Sequence, residues 1–497
     1  MVVIRLGPER WQNEHSRGIR QLSVRARGGV SWFSMDASDL SRLLDACDQG
    51  AAHVQQRLSD LVRIPSVSFS GFDPAEVRRS AQATAQWFRE IGMPEVRVGM
   101  EETGHPFVLA RDHRAGAGLP TILLYAHHDV QPPLRLDVWT TPPFEPTVRN
   151  GRLYGRGTAD DKAGIAVHAG SIAAWYVAAG KLPVNVTVLI EGEEECGSSH
   201  LGEILAAHRE ELSADLVVIA DLSNHDTGLP SLTTSLRGIA ALEVALTGAS
   251  HPLHSGVWGG AVPDPGKEIS RLLASLFDAQ GKPAVAGLFD GVEAVSEARR
   301  EELARIPLDL ERFRAQAGLD PKASLPPKEE LLADLWLRPS LVVNAVQCGV
   351  EGQTGNVLMD RAWARLSLRT VAGMDPARCL DLLEAHLRAR LPEELSLAVH
   401  RDGFAPAWSC QDDLPVLSVA REALSIGYGR EAVTIGCGAS IPFVESMTAA
   451  LGGVPALLVG VEDPWCNAHA ENESVDLADL AKAVRSQAAL FGLMAHC

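Results

Sequence analysis

Four short apolar runs in this chain each stop at a histidine or a carboxylate. "TILLYA" (121–126) is followed by His127, His128 and Asp129, and "VTVLI" (186–190) by "EGEEE", which contains Glu194 and Glu195. "LVVIA" (216–220) is followed by Asp221, and "PALLVGV" leads shortly to His469 in "NAHAENE". Runs of this length and composition read as strands covered on both faces. A helical stretch, "DKAGIAVHAGSIAAWYVAAG", separates the first two. Strands alternating with helices predict an α/β fold with a mainly parallel sheet covered by helices. Parallel strands present their C-terminal ends at one edge, where open α/β sheets build their sites. The polar residues at the four run ends are therefore expected to converge.

Three adjacent glutamates at the end of a buried strand are costly unless positive charge stands opposite them. A fifth polar group, Asp160 and Asp161, lies in the loop "YGRGTADDKAG" just ahead of the helix. Two histidines and three carboxylates make an ordinary ligand set for a pair of divalent ions, zinc or manganese. Paired ions need one carboxylate between them, and Asp160 suits that place. One glutamate can ligate while its neighbour stays free to take a proton from water, which is the logic of metal-assisted hydrolysis. Each motif alone has an ordinary explanation: a structural histidine, a solvated charge run, a capped helix. Their coincidence at four strand ends is what points to a two-metal site.

The texture changes after "SLRG" (235–238). "IAALEVALTG", "ARLSLRTVAG" and "LSLAVHRDG" read as strands, with the helix "ARCLDLLEAHLRARL" before the last of them, and residues 282–340 are charged and interrupted by prolines. "LPVLSVAREAL" and "VPALLVGVED" restore the first texture. The simplest division is a catalytic domain split into 35–238 and 404–497, with a smaller α+β domain inserted at 239–403. A chain of 497 residues is long enough for both. The first 34 residues, arginine-rich and without an apolar signal core, are expected to be a disordered extension read from an upstream start codon, with a targeting peptide as the alternative.

A formal charge of −18 argues against nucleic acid as a partner. No run of about 18 apolar residues is present, so no membrane span is predicted. The eight cysteines are scattered without a CxxC pair and read as free thiols in a reducing compartment, which suggests a cytoplasmic protein.

"YAHHDVQP", "PPFEPTVRNGRLYGRGTADDKAG", "IEGEEECGS", "HSGVWGGAVPDP", "LSLRTVAGMDP" and "NAHAENE" follow one another in that order. Together they resemble the co-catalytic metallopeptidase family of carnosinases, aminoacylases and carboxypeptidase G, its dipeptidase branch above all. The resemblance implies that His127, Asp160 and Asp221 hold one ion, and Asp160, Glu195 and His469 the other. It implies that Asp129 orients His127, that Glu194 is the general base, and that the Asp160–Asp161 peptide bond is cis. The inserted domain resembles the family's lid and dimerisation domain. His254 matches a histidine that reaches the partner subunit's active site, and Arg369 an arginine that grips the substrate carboxylate. Asn344 is a further lid candidate and Ser440 matches a substrate-contacting serine. His128 reads as a spectator.

Two segments depart from the family pattern. "GCGASIP" places Gly436 and Cys437 where relatives carry an arginine and a glutamate, and "GQTGNVLMD" (352–360) lacks the usual lid sequence. Both bear on substrate choice rather than on metal chemistry. The expectation is a homodimeric metallopeptidase that cleaves dipeptides or short peptides with a free carboxylate. An N-acyl-amino-acid amidohydrolase, and a non-catalytic binding protein of the same fold, are the alternatives.

Overall fold

The computed structural model describes residues 36–101, 103–410 and 414–496; the extension expected at 1–34 lies outside these. A nine-stranded sheet forms the larger body, ordered Glu95–Gly99, Phe107–Asp112, Asn185–Glu191, Thr121–His127, Leu216–Ile219, Ala456–Leu458, Ser231–Leu236 and Trp408–Ser409. Val433–Cys437 lies off this path and pairs in parallel with Ser231–Leu236. The centre is parallel: Thr121–His127 runs beside both Asn185–Glu191 and Leu216–Ile219, and Ala456–Leu458 continues in the same sense. Antiparallel strands close the margins.

Side-chain alternation splits the central strands between two cores. Ile122, Leu124 and Ala126 join the core under the helices Ala37–Val62, Lys162–Ala179, Pro415–Tyr428 and Leu477–Met494. Leu123 and Tyr125 point the other way, into a core closed by Leu201–Ala207 and Pro442–Ala450. All five are fully buried, and each of the larger ones contributes about 1.5–3 kcal/mol by leaving water. Burial on both faces explains why the strands read as continuous apolar runs.

A second, four-stranded antiparallel sheet is ordered Ser340–Gln347, Arg361–Thr370, Gly238–Thr247 and Ser396–Ala405. Ala362, Ala364, Leu366 and Leu368 alternate inward against the helices Pro265–Ala274 and Pro376–Arg388. The chain leaves the large sheet at Arg237 and returns beside it near Ala407. A Cβ on Gly238 would fall 2.3 Å from Thr370 Oγ1 and 2.5 Å from the Ala405 carbonyl oxygen, so only glycine fits where the two crossings touch.

The segment 282–340, expected within the inserted unit, forms the helices Glu297–Arg305, Leu310–Gln316 and Lys328–Trp336. Leu303, Ile306, Leu332 and Ala333 pack with Ile435, a residue of the large sheet. Arg312 pairs with Asp226 at 2.7 Å and stacks 5.0 Å from the Trp465 ring centroid. These helices therefore lie against the larger body, near the loop that carries His469. Among the described residues, no helix is long and apolar enough to cross a membrane.

Candidate metal centre

The four parallel strands at the centre of the large sheet deliver their ends to one edge. His127 is the last residue of its strand, and Asp221 follows Leu216–Ile219 by two residues. Beyond Asn185–Glu191 the chain turns into a short 3₁₀ turn, Glu194–Cys196. Beyond Ala456–Leu458 it winds through a loop in which Asn467, His469 and Asn472 all have positive φ. The Asp160–Asp161 bond is cis. Asp161 caps the helix Lys162–Ala179 by accepting from Gly164 N at 3.0 Å, and its other oxygen accepts from His127 N at 3.2 Å. The loop and the strand end are thus tied directly.

Two ligand groups result: His127, Asp160 and Asp221, and Asp160, Glu195 and His469, each with its donor atoms within 4.8 Å of one another. Asp160 belongs to both. Its Oδ1 lies 3.0 Å from His127 Nε2 and its Oδ2 lies 2.8 Å from His469 Nε2. Asp221 Oδ1 is 3.6 Å from His127 Nε2, and Glu195 Oε2 is 3.2 Å from His469 Nε2. Glu194 Oε2 approaches His127 Nε2 to 3.9 Å but joins neither group.

Five carboxylates, counting Asp129 and Glu194, face only two imidazoles, and no lysine or arginine among the described residues forms an ion pair with any of them. The electrostatic consequences are large. Burial and the Asp160 charge push Glu195 up to about 7. Burial raises Glu194 and Asp221 too, with neighbouring carboxylates adding to it and His127 opposing. Hydrogen bonds to Asp160 and Glu195 push His469 up to about 11. Burial works against the charged form of Asp160, yet the two imidazoles hold it below the usual carboxylate range. A cluster so short of positive charge, with borderline and hard donors on both sides of one carboxylate, fits a pair of divalent cations.

A second layer of contacts holds these groups. Asp129, fully buried, has Oδ1 3.3 Å from His127 Nδ1 and accepts from Glu194 N at 3.2 Å. Its Oδ2 accepts from Glu195 N at 3.1 Å and from Ser68 Oγ at 2.7 Å. One carboxylate therefore sets both the His127 ring and the turn carrying the two glutamates. Gln131 donates to both Glu195 oxygens, at 3.0 and 2.8 Å.

Glu473 was not singled out by the sequence reading, although "NAHAENE" contains it. It is fully buried and accepts from Arg156 Nη1 (2.6 Å), Gly157 N (2.9 Å), Ala159 N (2.9 Å) and Asp160 N (3.2 Å). It lies four residues beyond His469, so it fastens the Asp160 loop to the His469 loop. Glu473→Gln turns one acceptor into a donor facing these N–H groups, leaving at least one unmet. Metal affinity is expected to fall about 10- to 100-fold, read by competition with a chelator.

A model of the peptidase family M20/M25/M40 matches residues 123–492. The chain belongs to that family. It is 32% identical over 435 residues to the cysteinylglycine-S-conjugate dipeptidase of Corynebacterium striatum, covering 86% of this chain and 92% of that protein. It is 28% identical over 389 residues to the Beta-Ala-His dipeptidase of Homo sapiens, covering 76% of this chain and 75% of that one. Among solved structures, the Saccharomyces cerevisiae dipeptidase Dug1p superposes with a TM-score of 0.77 at 25% identity. Human carnosine dipeptidase 1 superposes with 0.76 at 27%, and each comparison covers 92% of this chain and 99% of the other. The family is one of peptidases, and these relatives place the chain in its dipeptidase branch.

The remaining candidates are dispersed. Arg369 Nη1 donates to Ser440 Oγ at 3.0 Å, which joins the small sheet to the loop after Val433–Cys437. Arg237, missed in the sequence, braces that loop by donating from Nε to Gly438 O at 3.1 Å and from Nη1 to Ser340 Oγ at 3.2 Å. The family departure at Gly436 has a steric reason: a Cβ there would fall 2.7 Å from Trp336 Cβ, so the last helical turn of 328–336 fills that space. Asn344 sits exposed at a bulge in the edge strand Ser340–Gln347 and belongs to neither ligand group. His254 is exposed, and its Nδ1 accepts from Gly256 N at 3.1 Å. The departing segment near 356 backs it, with His254 paired to Val357 and Ser255 N donating to Asn356 O. His128 is buried against the Pro106 carbonyl at 2.8 Å and burial lowers it to about 4, so it stays neutral and structural.

Proposed function

We propose that the protein is a di-metal dipeptidase that hydrolyses short peptides with a free carboxylate. The observation that carries this reading is Asp160, whose two oxygens face two separate ligand groups inside a cluster that no lysine or arginine among the described residues pairs with. His127 and Asp221 would complete one ion's set, and Glu195 and His469 the other's; zinc and manganese both suit these donors. Bound there, the two ions would supply Lewis-acid polarisation of the scissile carbonyl and a field favouring deprotonation of water.

The chain's own residues do the rest. Glu194, outside both ligand sets and displaced upward by burial, takes a proton from the attacking water on its carboxylate. It then gives that proton to the nitrogen of the departing amine. Asp129 keeps His127 and Glu194 in register through the contacts described above. Arg369, with Ser440 and Asn344, receives the substrate carboxylate, a task suited to a guanidinium fork.

His254 would act across a homodimer, steadying the oxyanion in the partner subunit's site. Its exposure supports that assignment. The same reading divides the chain into 35–238, 239–403 and 404–497 and places the enzyme in the cytoplasm.

The test is turnover by metal-reconstituted protein, with zinc and manganese separately, on dipeptides and N-acetyl amino acids. Dipeptide cleavage is the expected result. Activity confined to acylated amino acids would replace this reading with an amidohydrolase. Absence of turnover with two ions bound would make the protein a binding module.

A further inference from the structure

The strand Ala456–Leu458 runs beside Leu216–Ile219, with Leu458 opposite Ile219, and the pairing resumes beyond the strand ends as a bridge between Ser223 and Glu462. Asp221 and Glu462 therefore emerge from neighbouring parallel strands at the same edge. The two chains touch so closely that a Cβ on Gly460 would fall 1.6 Å from the Leu222 carbonyl oxygen, which fixes one end against the other. Glu462 is thus a further strand-end carboxylate at the metal centre, one that the sequence reading passed over on its way to His469.

It belongs to neither ligand group. Its Oε2 accepts from Ser223 Oγ at 2.6 Å, and its Oε1 has no hydrogen-bond partner among the described residues. Burial raises its carboxyl, the charges of Asp160, Asp221 and Glu473 add to that, and the Ser223 hydrogen bond opposes it. Its Oε1 is thus a carboxylate oxygen that neither ligand group uses.

Positive charge gathers near Cys437. Arg369 and Ser440 are bonded to each other there, with Arg237 bracing the loop. The Cys437 thiol lies within electrostatic reach of Glu462, Arg237 and Arg369. In the family pattern a glutamate stands at the place of Cys437; in this chain Glu462 is an acid within electrostatic reach of that position. Negative and positive groups within reach of one thiol match a zwitterion. A dipeptide is such a molecule, with an ammonium at one end and a carboxylate at the other.

We propose that Glu462 binds the α-ammonium group of the substrate and so selects peptides with a free amino terminus over N-blocked ones. The proposal rests on the dipeptidase reading given above. Asp160 and Asp221 are committed to the ligand groups and Glu194 to proton transfer, which leaves Glu462 Oε1 as an acceptor available to an ammonium. Ser223 holds the other oxygen and thereby aims the carboxylate.

The experiment uses the metal-loaded enzyme and its Glu462→Gln variant, measuring KM and kcat for Leu-Gly and the inhibition constant of N-acetyl-Leu-Gly. KM for Leu-Gly is expected to rise about 10- to 100-fold, the effect of losing one charge-assisted hydrogen bond. The inhibition constant of the acetylated compound, which has no ammonium, is expected to stay unchanged. Glu462→Asp, which keeps the charge on a shorter stem, is expected to fall between the two enzymes. Equal weakening of both ligands, or no change in either, would overturn the proposal while leaving the dipeptidase reading intact. Failure of the unaltered enzyme to cleave Leu-Gly or any other dipeptide would overturn that reading, and the proposal with it.

Discussion

Glu194→Gln is expected to lower kcat for dipeptide hydrolysis by about 10³- to 10⁴-fold while leaving KM and metal content nearly unchanged. The amide has the size of the carboxylate but cannot accept the proton of the attacking water or return it to the amine. Glu194 lies outside both ligand groups, so the donor atoms for the ions are untouched. Its backbone N–H, which donates to Asp129 at 3.2 Å, survives the substitution, so the turn keeps its seat. The variant also removes one member of a crowded set of carboxylates whose burial disfavours their charged forms. Its metal-free form is therefore expected to melt no lower than that of the unaltered protein. Steady-state kinetics with parallel elemental analysis check the prediction. A comparable loss of bound metal would mean that Glu194 is a ligand rather than the base.

Asp160→Asn is expected to abolish detectable turnover and to weaken both ions together. The two Asp160 oxygens serve different groups, one 3.0 Å from His127 Nε2 and the other 2.8 Å from His469 Nε2. An asparagine offers one neutral oxygen and, on the opposite side, an NH₂ group that repels a cation. Whichever way the amide turns, one ligand group loses a donor and both lose the shared negative charge. Asp221→Asn, by contrast, touches a single group and is expected to weaken one ion only. Two-site titration of the metal-free protein, followed by calorimetry, distinguishes the two variants. The expected fall in affinity at both sites for Asp160→Asn is about 100-fold or more, since ligand charge governs binding.

The parts of this arrangement that were legible in the sequence share a physical cause. Thr121–His127 and Asn185–Glu191 are buried on both faces, so they stand out as apolar runs, and a polar residue at their ends is conspicuous. The parallel centre of the sheet then brings those ends together without any further information. The helix at 162–179 was readable for the same reason, from the apolar residues it packs into the core.

Residues acting through acceptors to backbone N–H groups carry no such signature. Glu473 holds four donors in the Asp160 loop, but in the sequence it is one more acid in a polar stretch. Glu462 is visible only once Ser223 is seen to pair with it. Arg237 looks like a hinge charge until its bonds to Gly438 and Ser340 are known. The helices at 297–336 have short apolar faces, and nothing in their pattern says that Ile435 of the large sheet completes their core. His254 is a different case: its neighbours within one chain are Gly256 and Val357, and the role assigned to it depends on a second copy.

The central claim is that Asp160 stands between two divalent ions. Anomalous diffraction from crystals equilibrated with zinc tests it most directly. The account predicts two peaks, one on each side of the Asp160 carboxylate, the first beside His127 and Asp221 and the second beside Glu195 and His469. A single peak, or none at saturating zinc, would contradict it.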